Sequence, residues 1–203
     1  MPGRPPITIV NVGYRATNFW VISAGTSRLL VDLGYPNTMG MMRANLDRMG
    51  VPLAEIRYAL VTHYHYDHAG LAQDFKRLGV PLIVLEPQIV AIPLLKKVMK
   101  PTDLFADITT DDNVNISFAD SRQTLDRIGI PGEIVPTPGH SDDSVSLVLD
   151  NGSAFTGDLT SPDRAAEPDA ATVRASWVLL RKRGARLIHP GHGPIHTIDA
   201  EMT

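Results

Sequence analysis

Three histidines and an aspartate fall within six residues of the stretch Thr62-His63-Tyr64-His65-Tyr66-Asp67-His68-Ala69-Gly70, directly after the strand-like run Tyr58-Ala59-Leu60-Val61. Histidines two apart on an extended segment turn both rings to one side, and the turn that follows brings Asp67 and His68 onto the same pocket from another direction. Neutral imidazole nitrogen and carboxylate oxygen are the donors that zinc and other borderline divalent ions prefer. The chain has only 7 histidines, so three at ligand spacing argue for a metal site rather than a polar loop. This loop alone does not saturate two neighbouring ions, and further ligands must come from elsewhere.

The rest of the composition narrows the chemistry. There is no cysteine, which removes thiolate ligands, a disulfide framework and a cysteine nucleophile together. With 43% hydrophobic and 20% charged residues, the chain is neither disordered nor fibrous. Its length suits one domain over 1–203, built as two βα halves at roughly 1–112 and 113–203. A net charge of −3 gives no general attraction to nucleic acid or to an anionic membrane, so neither is expected as a partner. The basic cluster Arg181, Lys182, Arg183 and Arg186 reads as a solvated helix end rather than an anion patch. Met1-Pro2-Gly3-Arg4-Pro5-Pro6 leads into Ile7 without an apolar signal core, and no stretch has the length of a membrane span, so the expected location is cytoplasmic.

Along the chain, Ile7 to Val12, Asn18 to Ala24 and Ser27 to Asp32 read as a strand meander that leaves Asp32 at a strand end. Asn37 or Thr38 caps a helix to about Met49, with Met42, Leu46 and Met49 on one face. The helix after the histidines places Leu71, Phe75 and Leu78 on one face and stops at Gly79. Pro81 to Glu86 is a buried strand, and Gln88 to Met99 is an apolar helical stretch that Pro93 kinks or divides. That stretch is expected to serve as core or as a homodimer face rather than as a substrate wall. The second half repeats the style, with strands at Val114 to Ala119, Glu133 to Thr137, Ser144 to Asp150, Ser153 to Thr156 and Ala185 to His189, and a helix at Ala170 to Arg183. Two such halves, each burying its sheet under helices, predict a four-layer αββα sandwich.

Three later pieces follow strands as the histidine loop does: Thr137-Pro138-Gly139-His140-Ser141, Thr156-Gly157-Asp158-Leu159 and His189-Pro190-Gly191-His192-Gly193-Pro194. Glycine beside a ligand lets backbone approach closely, and proline limits the freedom lost when the loop is fixed. Joined to the first cluster, they supply five histidines and two aspartates, enough for two adjacent metals.

The order His-x-His-x-Asp-His, Gly-His, Gly-Asp, Gly-His-Gly resembles the metallo-β-lactamase-fold hydrolase superfamily over nearly the whole chain. The resemblance implies the αββα sandwich, with His63, His65 and His140 on a first metal, Asp67, His68 and His192 on a second, and Asp158 bridging them. It also implies that Asp32, by spacing alone equally a turn carboxylate, orients a metal-bound histidine. Asp158 stands where the family's zinc β-lactamases carry cysteine or a non-bridging residue, so antibiotic hydrolysis is not expected. The length leaves little room for the added domains of the family's nucleases or glutathione-thioester hydrolases.

These readings converge on a dinuclear zinc hydrolase, with iron or manganese as alternative ions, that cleaves a small ester, lactone or thioester by attack of a metal-bound hydroxide. Asp67 is expected to steer the hydroxide or relay its proton. A phosphodiesterase using the same ions is the runner-up, ahead of an iron-dependent dioxygenase and of a metal-binding module without turnover. Tyr14 and His196 are the candidate substrate contacts, while Tyr64 and Tyr66 alternate with ligands and are expected to point into packing.

Overall fold

Strands that are apolar on both faces need cover on both sides, and that requirement sets the layers. The structure is a computed structural model and describes residues 5–198; Met1 to Arg4, part of the N-terminal stretch read above for a signal core, lie outside it. Strands β1 (Ile7–Asn11), β2 (Trp20–Ala24) and β3 (Ser27–Val31) form an antiparallel meander. Strands β4 (Ile56–Leu60), β5 (Leu82–Leu85) and β6 (Val114–Ile116) extend it in parallel, in the order β1-β2-β3-β4-β5-β6. The second sheet is β11-β10-β9-β8-β7, from β7 (Gly132–Pro136), β8 (Val145–Leu149), β9 (Ser153–Gly157), β10 (Leu187–Pro190) and β11 (His196–Thr197).

Alternation along each strand sorts side chains into three cores. Trp20, Ile22, Leu29, Val31, Leu60 and Ile83 meet Ile134, Leu147 and Phe155 between the sheets. Their neighbours Val21, Leu30, Ala59, Val61, Leu82 and Val84 pack outward. They meet Met42 and Leu46 of α1 (Met39–Arg48), Phe75 of α3 (Ala72–Arg77), and Ile92 and Leu95 of α4 (Glu86–Val98). On the far side, Val135, Val148, Ala154 and Ile188 lie under Val173, Trp177 and Leu180 of α6 (Ala170–Lys182). The result is the four-layer αββα sandwich. Removing one of its fully buried large side chains, as in Leu60→Ala, costs about 2–5 kcal/mol.

Several boundaries differ from the sequence reading. The division of the chain does not fall at 112/113, because β6 pairs in parallel with β5 and belongs to the first sheet. A parallel pair needs a crossover, and α4 supplies it, so the Asp111-Asp112-Asn113 loop lies inside a βαβ unit. A short helix, α5 (Ser121–Asp126), follows and puts Leu125 into the inter-sheet core. The helix after the histidines is two pieces, α2 (Tyr66–Ala69) and α3, separated at Gly70, where a Cβ would come within 2.3 Å of the Pro36 backbone nitrogen. Met49 and Leu78 are 40% and 41% exposed rather than core, because each sits at a helix C-cap where the chain turns off the packed face. Helix α4 runs undivided through Pro93. Among the described residues no helix is long and apolar enough to cross a membrane.

His189, on β10, is 4% exposed between the Trp20 and Phe155 rings, at 4.8 and 4.7 Å, and neither ring nitrogen has a hydrogen-bond partner among the described residues. Burial pulls its pKa down from 6.5 to about 4. The unfolded chain therefore takes up this proton first as the pH drops, and stability is lost between about 6.5 and about 4 by at most about 1.4 kcal/mol per pH unit. Denaturant unfolding of the metal-free protein should show that His189→Leu loses this part of the acid slope; identical slopes in parent and variant would refute the assignment.

Candidate metal centre

All the ligand-type residues singled out from sequence lie where strands of the two sheets end on one edge of the sandwich. Asp32 follows β3, Thr62 to His68 follow β4, His140 lies between β7 and β8, Asp158 follows β9, and His192 follows β10. The edge is stitched across the sheets. Val145 N–H donates to the Thr62 carbonyl at 2.8 Å, Tyr64 N–H to Asp143 Oδ2 at 2.7 Å, and Asn18 N–H to the Gly191 carbonyl at 2.7 Å.

The structure brings the residues together in two groups, His63, His65 and His140, and Asp67, His68, Asp158 and His192, with ligand atoms in each group within 4.8 Å of one another. In the first, His63 Nε2 and His140 Nε2 each lie 3.1 Å from His65 Nδ1. Tetrahedral zinc with bonds of about 2.05 Å needs nitrogens about 3.3 Å apart, so this spacing suits one shared ion. In the second, His192 Nε2 is 3.2 Å from both Asp67 Oδ2 and Asp158 Oδ2, and His68 Nε2 is 3.2 Å from Asp158 Oδ1. Asp158 Oδ2 also lies 3.9 and 3.8 Å from His63 Nε2 and His140 Nε2, which places this carboxylate between the groups.

The outward ring nitrogens explain why the inward ones carry lone pairs. His68 Nδ1 donates to Asp32 Oδ2 at 2.8 Å, and His192 Nδ1 to the Ala16 carbonyl at 2.6 Å. The Thr62 hydroxyl donates to Asp32 at 3.0 Å, which leaves its oxygen to accept from His63 Nδ1 at 3.2 Å. Each contact holds the proton on the outer nitrogen and aims the other at the cluster, the arrangement that metal-binding histidines require. His68 Nε2 and Asp158 Oδ1 are buried and, among the described residues, have no hydrogen-bond partner of proper geometry. Orphaned donor atoms beside convergent lone pairs fit a divalent cation.

The electrostatics agree at His63 and His140; at His68 they favour the charged ring, whose Nε2 proton a divalent ion would displace. Burial, joined by the neighbouring imidazoles, holds His63 well below its ordinary pKa and so in the neutral form a ligand needs. Burial also lowers His140. At His68 burial acts downward, but the Asp32 and Asp158 carboxylates outweigh it and hold the ring well above its ordinary value. Burial raises Asp158, but His68, His192 and His140 outweigh it and hold the carboxyl low.

Asp32 is not the turn carboxylate that spacing equally allowed. It is 1% exposed, has φ of 64°, and accepts from Thr62 N–H, the Thr62 hydroxyl and His68. Tyr14 is a correction: it is buried in the outer core, and its hydroxyl is bonded to Thr38 Oγ1 at 2.5 Å, so it does not face a substrate. Tyr66 is another. It begins α2 and is 54% exposed, because the helical turn breaks the two-residue alternation that would have buried it. Tyr64 is buried as expected. His196 is exposed on the rim of a cavity of about 650 Å³ whose walls include His140, Asp158, His192, Arg164 and Trp177. Arg181 and Arg186 border a different depression that holds none of the ligand-type residues. Sequence reasoning missed Thr62, Asp143 and Thr17. Thr62 carried a signal, since it immediately precedes the first histidine; Thr17, whose hydroxyl donates to Asp67 Oδ2 at 3.1 Å, carried none.

Because Asp32 holds His68 directly and His63 through Thr62, Asp32→Ala should weaken metal binding by roughly 10- to 100-fold, measured by competition with a chromophoric chelator. Thr62→Val should weaken it less, and Thr62→Ser, which keeps the hydroxyl, should restore parental affinity. A Ser variant as weak as Val would show that the hydroxyl is not what matters.

The profile of the Metallo-beta-lactamase superfamily matches residues 12–192. The probable metallo-hydrolase of Methanocaldococcus jannaschii is 26% identical over 195 residues, covering 90% of this chain and 90% of its own. An atrochrysone carboxyl ACP thioesterase of Aspergillus novofumigatus is 28% identical over 188 residues, covering 90% of this chain and 51% of its own. The chain spans 51–57% of the length of this and two other relatives, and is thus about half their size. Among solved structures, a metallo-beta-lactamase family protein of Thermus thermophilus superposes with a TM-score of 0.72 at 19% identity, covering 97% of this chain and 75% of its own. With the profile spanning nearly the whole chain and the sandwich carrying its ligand-type residues on one edge, the chain belongs to the metallo-beta-lactamase superfamily.

Proposed function

We propose that the chain is a metal-dependent hydrolase that holds two divalent ions, zinc by preference, and cleaves a small ester, lactone or thioester. The observation that carries this reading is the pair of ligand groups meeting at Asp158, made only of nitrogen and oxygen donors, with the outer N–H groups of His63, His68 and His192 held. His63, His65 and His140 would hold one ion, Asp67, His68 and His192 the other, and Asp158 both. Bound ions supply Lewis acidity and lower the pKa of coordinated water toward neutrality.

The chain's own residues do the rest. Asp67 accepts from the Thr17 hydroxyl on Oδ2, which orients the carboxylate and leaves it able to take a proton beside the reacting centre. The cavity of about 650 Å³ offers Leu159, Trp177, Ile188 and Pro190 as apolar wall for a carbonyl compound, with the ligand groups on one side. Two relatives' names support the reading: one, a probable metallo-hydrolase, supports hydrolysis, and the other, an ACP thioesterase, supports carbonyl chemistry.

Elemental analysis of metal-replete protein should give close to two ions per chain. Asp158→Ala should bind fewer and lose most turnover while staying folded by circular dichroism, since the residue sits in a loop after β9. On matched lactone, thioester, ester and bis-aryl phosphate substrates, the carbonyl compounds should be hydrolysed. Efficient phosphodiester cleavage with negligible carbonyl hydrolysis would replace this reading with the phosphodiesterase.

A further inference from the structure

A second cavity, of about 510 Å³, lies beside the metal centre, and its lining includes Arg15, Tyr35, Tyr66, Val98, Lys100 and Asp103. Three links tie it to the ligand residues. Tyr66 directly precedes Asp67 on α2. The Tyr35 hydroxyl is bonded at 2.6 Å to Thr17 Oγ1, which in turn donates to Asp67. Arg15 directly precedes Ala16, whose carbonyl holds His192.

The lining has a definite chemistry. Tyr35 and Tyr66 stand edge to face at 5.6 Å, and Val98 and Met99 add apolar surface. The Arg15 guanidinium lies 4.7 Å above the Tyr35 ring. Among the described residues, no carboxylate pairs with Arg15 or with the Lys100 ammonium. Asp103 is the acidic residue in the lining, and its Oδ2 accepts from the Lys100 backbone N–H at 2.7 Å. Two cations and one carboxylate leave the cavity with one net positive charge, on a chain whose overall charge is −3. A mixed lining, aromatic and apolar at Tyr35, Tyr66, Val98 and Met99 and polar at Asn37, Thr38 and Thr102, with one uncompensated cation, matches a monoanion on a hydrocarbon stem better than a phosphate dianion.

We propose that this cavity is an acid-binding subsite, which takes an arm of the carbonyl substrate that ends in a carboxylate. The inference rests on the hydrolase reading above and adds the substrate class to it. Lys100 and Arg15 meet the carboxylate, and Tyr35, Tyr66 and Val98 pack the stem. Because these contacts form when the substrate binds and lie away from the scissile bond, they act through KM more than through kcat.

The test uses the zinc-loaded full chain and two matched pairs. One pair puts the carboxylate on the acyl side, mono(4-nitrophenyl) glutarate against 4-nitrophenyl pentanoate. The other puts it on the leaving side, 4-carboxyphenyl pentanoate against phenyl pentanoate. In at least one pair the acid should be preferred in kcat/KM by on the order of 10-fold, as expected for a charge-assisted contact. Lys100→Met and Arg15→Met should each bring that ratio toward one, mainly by raising KM for the acid. No preference in either pair, or variants that slow acid and neutral substrates equally, would overturn the proposal. Calorimetric titration of pentanoate against pentanamide separates the two readings. If pentanoate binds more tightly and loses that advantage in the variants while no ester is hydrolysed, the hydrolase reading fails and the subsite stands. If esters turn over without acid preference and pentanoate has no advantage over pentanamide, or keeps it undiminished in the variants, the subsite fails and the hydrolase stands.

Discussion

The buried carboxylate of Asp32 is the contact on which the metal edge depends. A carboxylate taken out of water is costly unless its oxygens are satisfied, and here the Thr62 amide, the Thr62 hydroxyl and His68 Nδ1 satisfy them. Those same bonds lock the end of β3 to the end of β4 and set the proton on two of the five clustered histidines. Structure and chemistry are thus joined at one side chain: the group that closes the backbone also decides which imidazole nitrogen is free. The left-handed backbone at Asp32 is tolerated because so many bonds over-determine it.

The two sheets contribute unequal but interlocking parts. The first supplies the dense His63 to His68 loop, while the second supplies one residue from each of three strand ends, so the cluster forms only when the sheets are docked. Trp20 and Asn18 of the first half both donate to the Pro190 carbonyl beside the last ligand loop, at 3.1 and 3.0 Å, and Asn18 N–H donates to the Gly191 carbonyl at 2.7 Å. Rigid strand ends hold donor atoms to the tolerance that a metal site needs better than free loops do.

Backbone proximity is the second constraint. At Gly157, with φ of +54°, a Cβ would stand 2.3 Å from Thr62 Oγ1, and at Gly191 one would stand 2.4 Å from Asp158 Oδ1. The glycines beside the ligands therefore make room for the ligands and for their supporting hydroxyl. The seven clustered residues thus depend on spacing along the chain and on what the neighbouring positions lack.

Strand alternation, the dense His63 to His68 run and the glycine-flanked His140, Asp158 and His192 were legible from order and spacing, because each is a local pattern with a period or a turn attached. The αββα layering followed from the same alternation, since a strand apolar on both faces must be covered twice. Local pattern could not decide which half owns Val114 to Ile116, because pairing with β5 is a contact across a whole crossover helix. Nor could it give Tyr14 and Tyr66 their roles, since a helical turn at Tyr66 reverses what alternation suggests, and Tyr14, expected at the pocket, finds its hydroxyl partner 24 residues away. Thr17 reaches Asp67 from 50 residues away, and Asp143 reaches Tyr64 from 79. Sequence by itself determined which ligand-type side chains the chain offers and in what order; the docking of two sheets decided what stands behind them and which cations line the neighbouring cavity, because those contacts join positions that no local period connects.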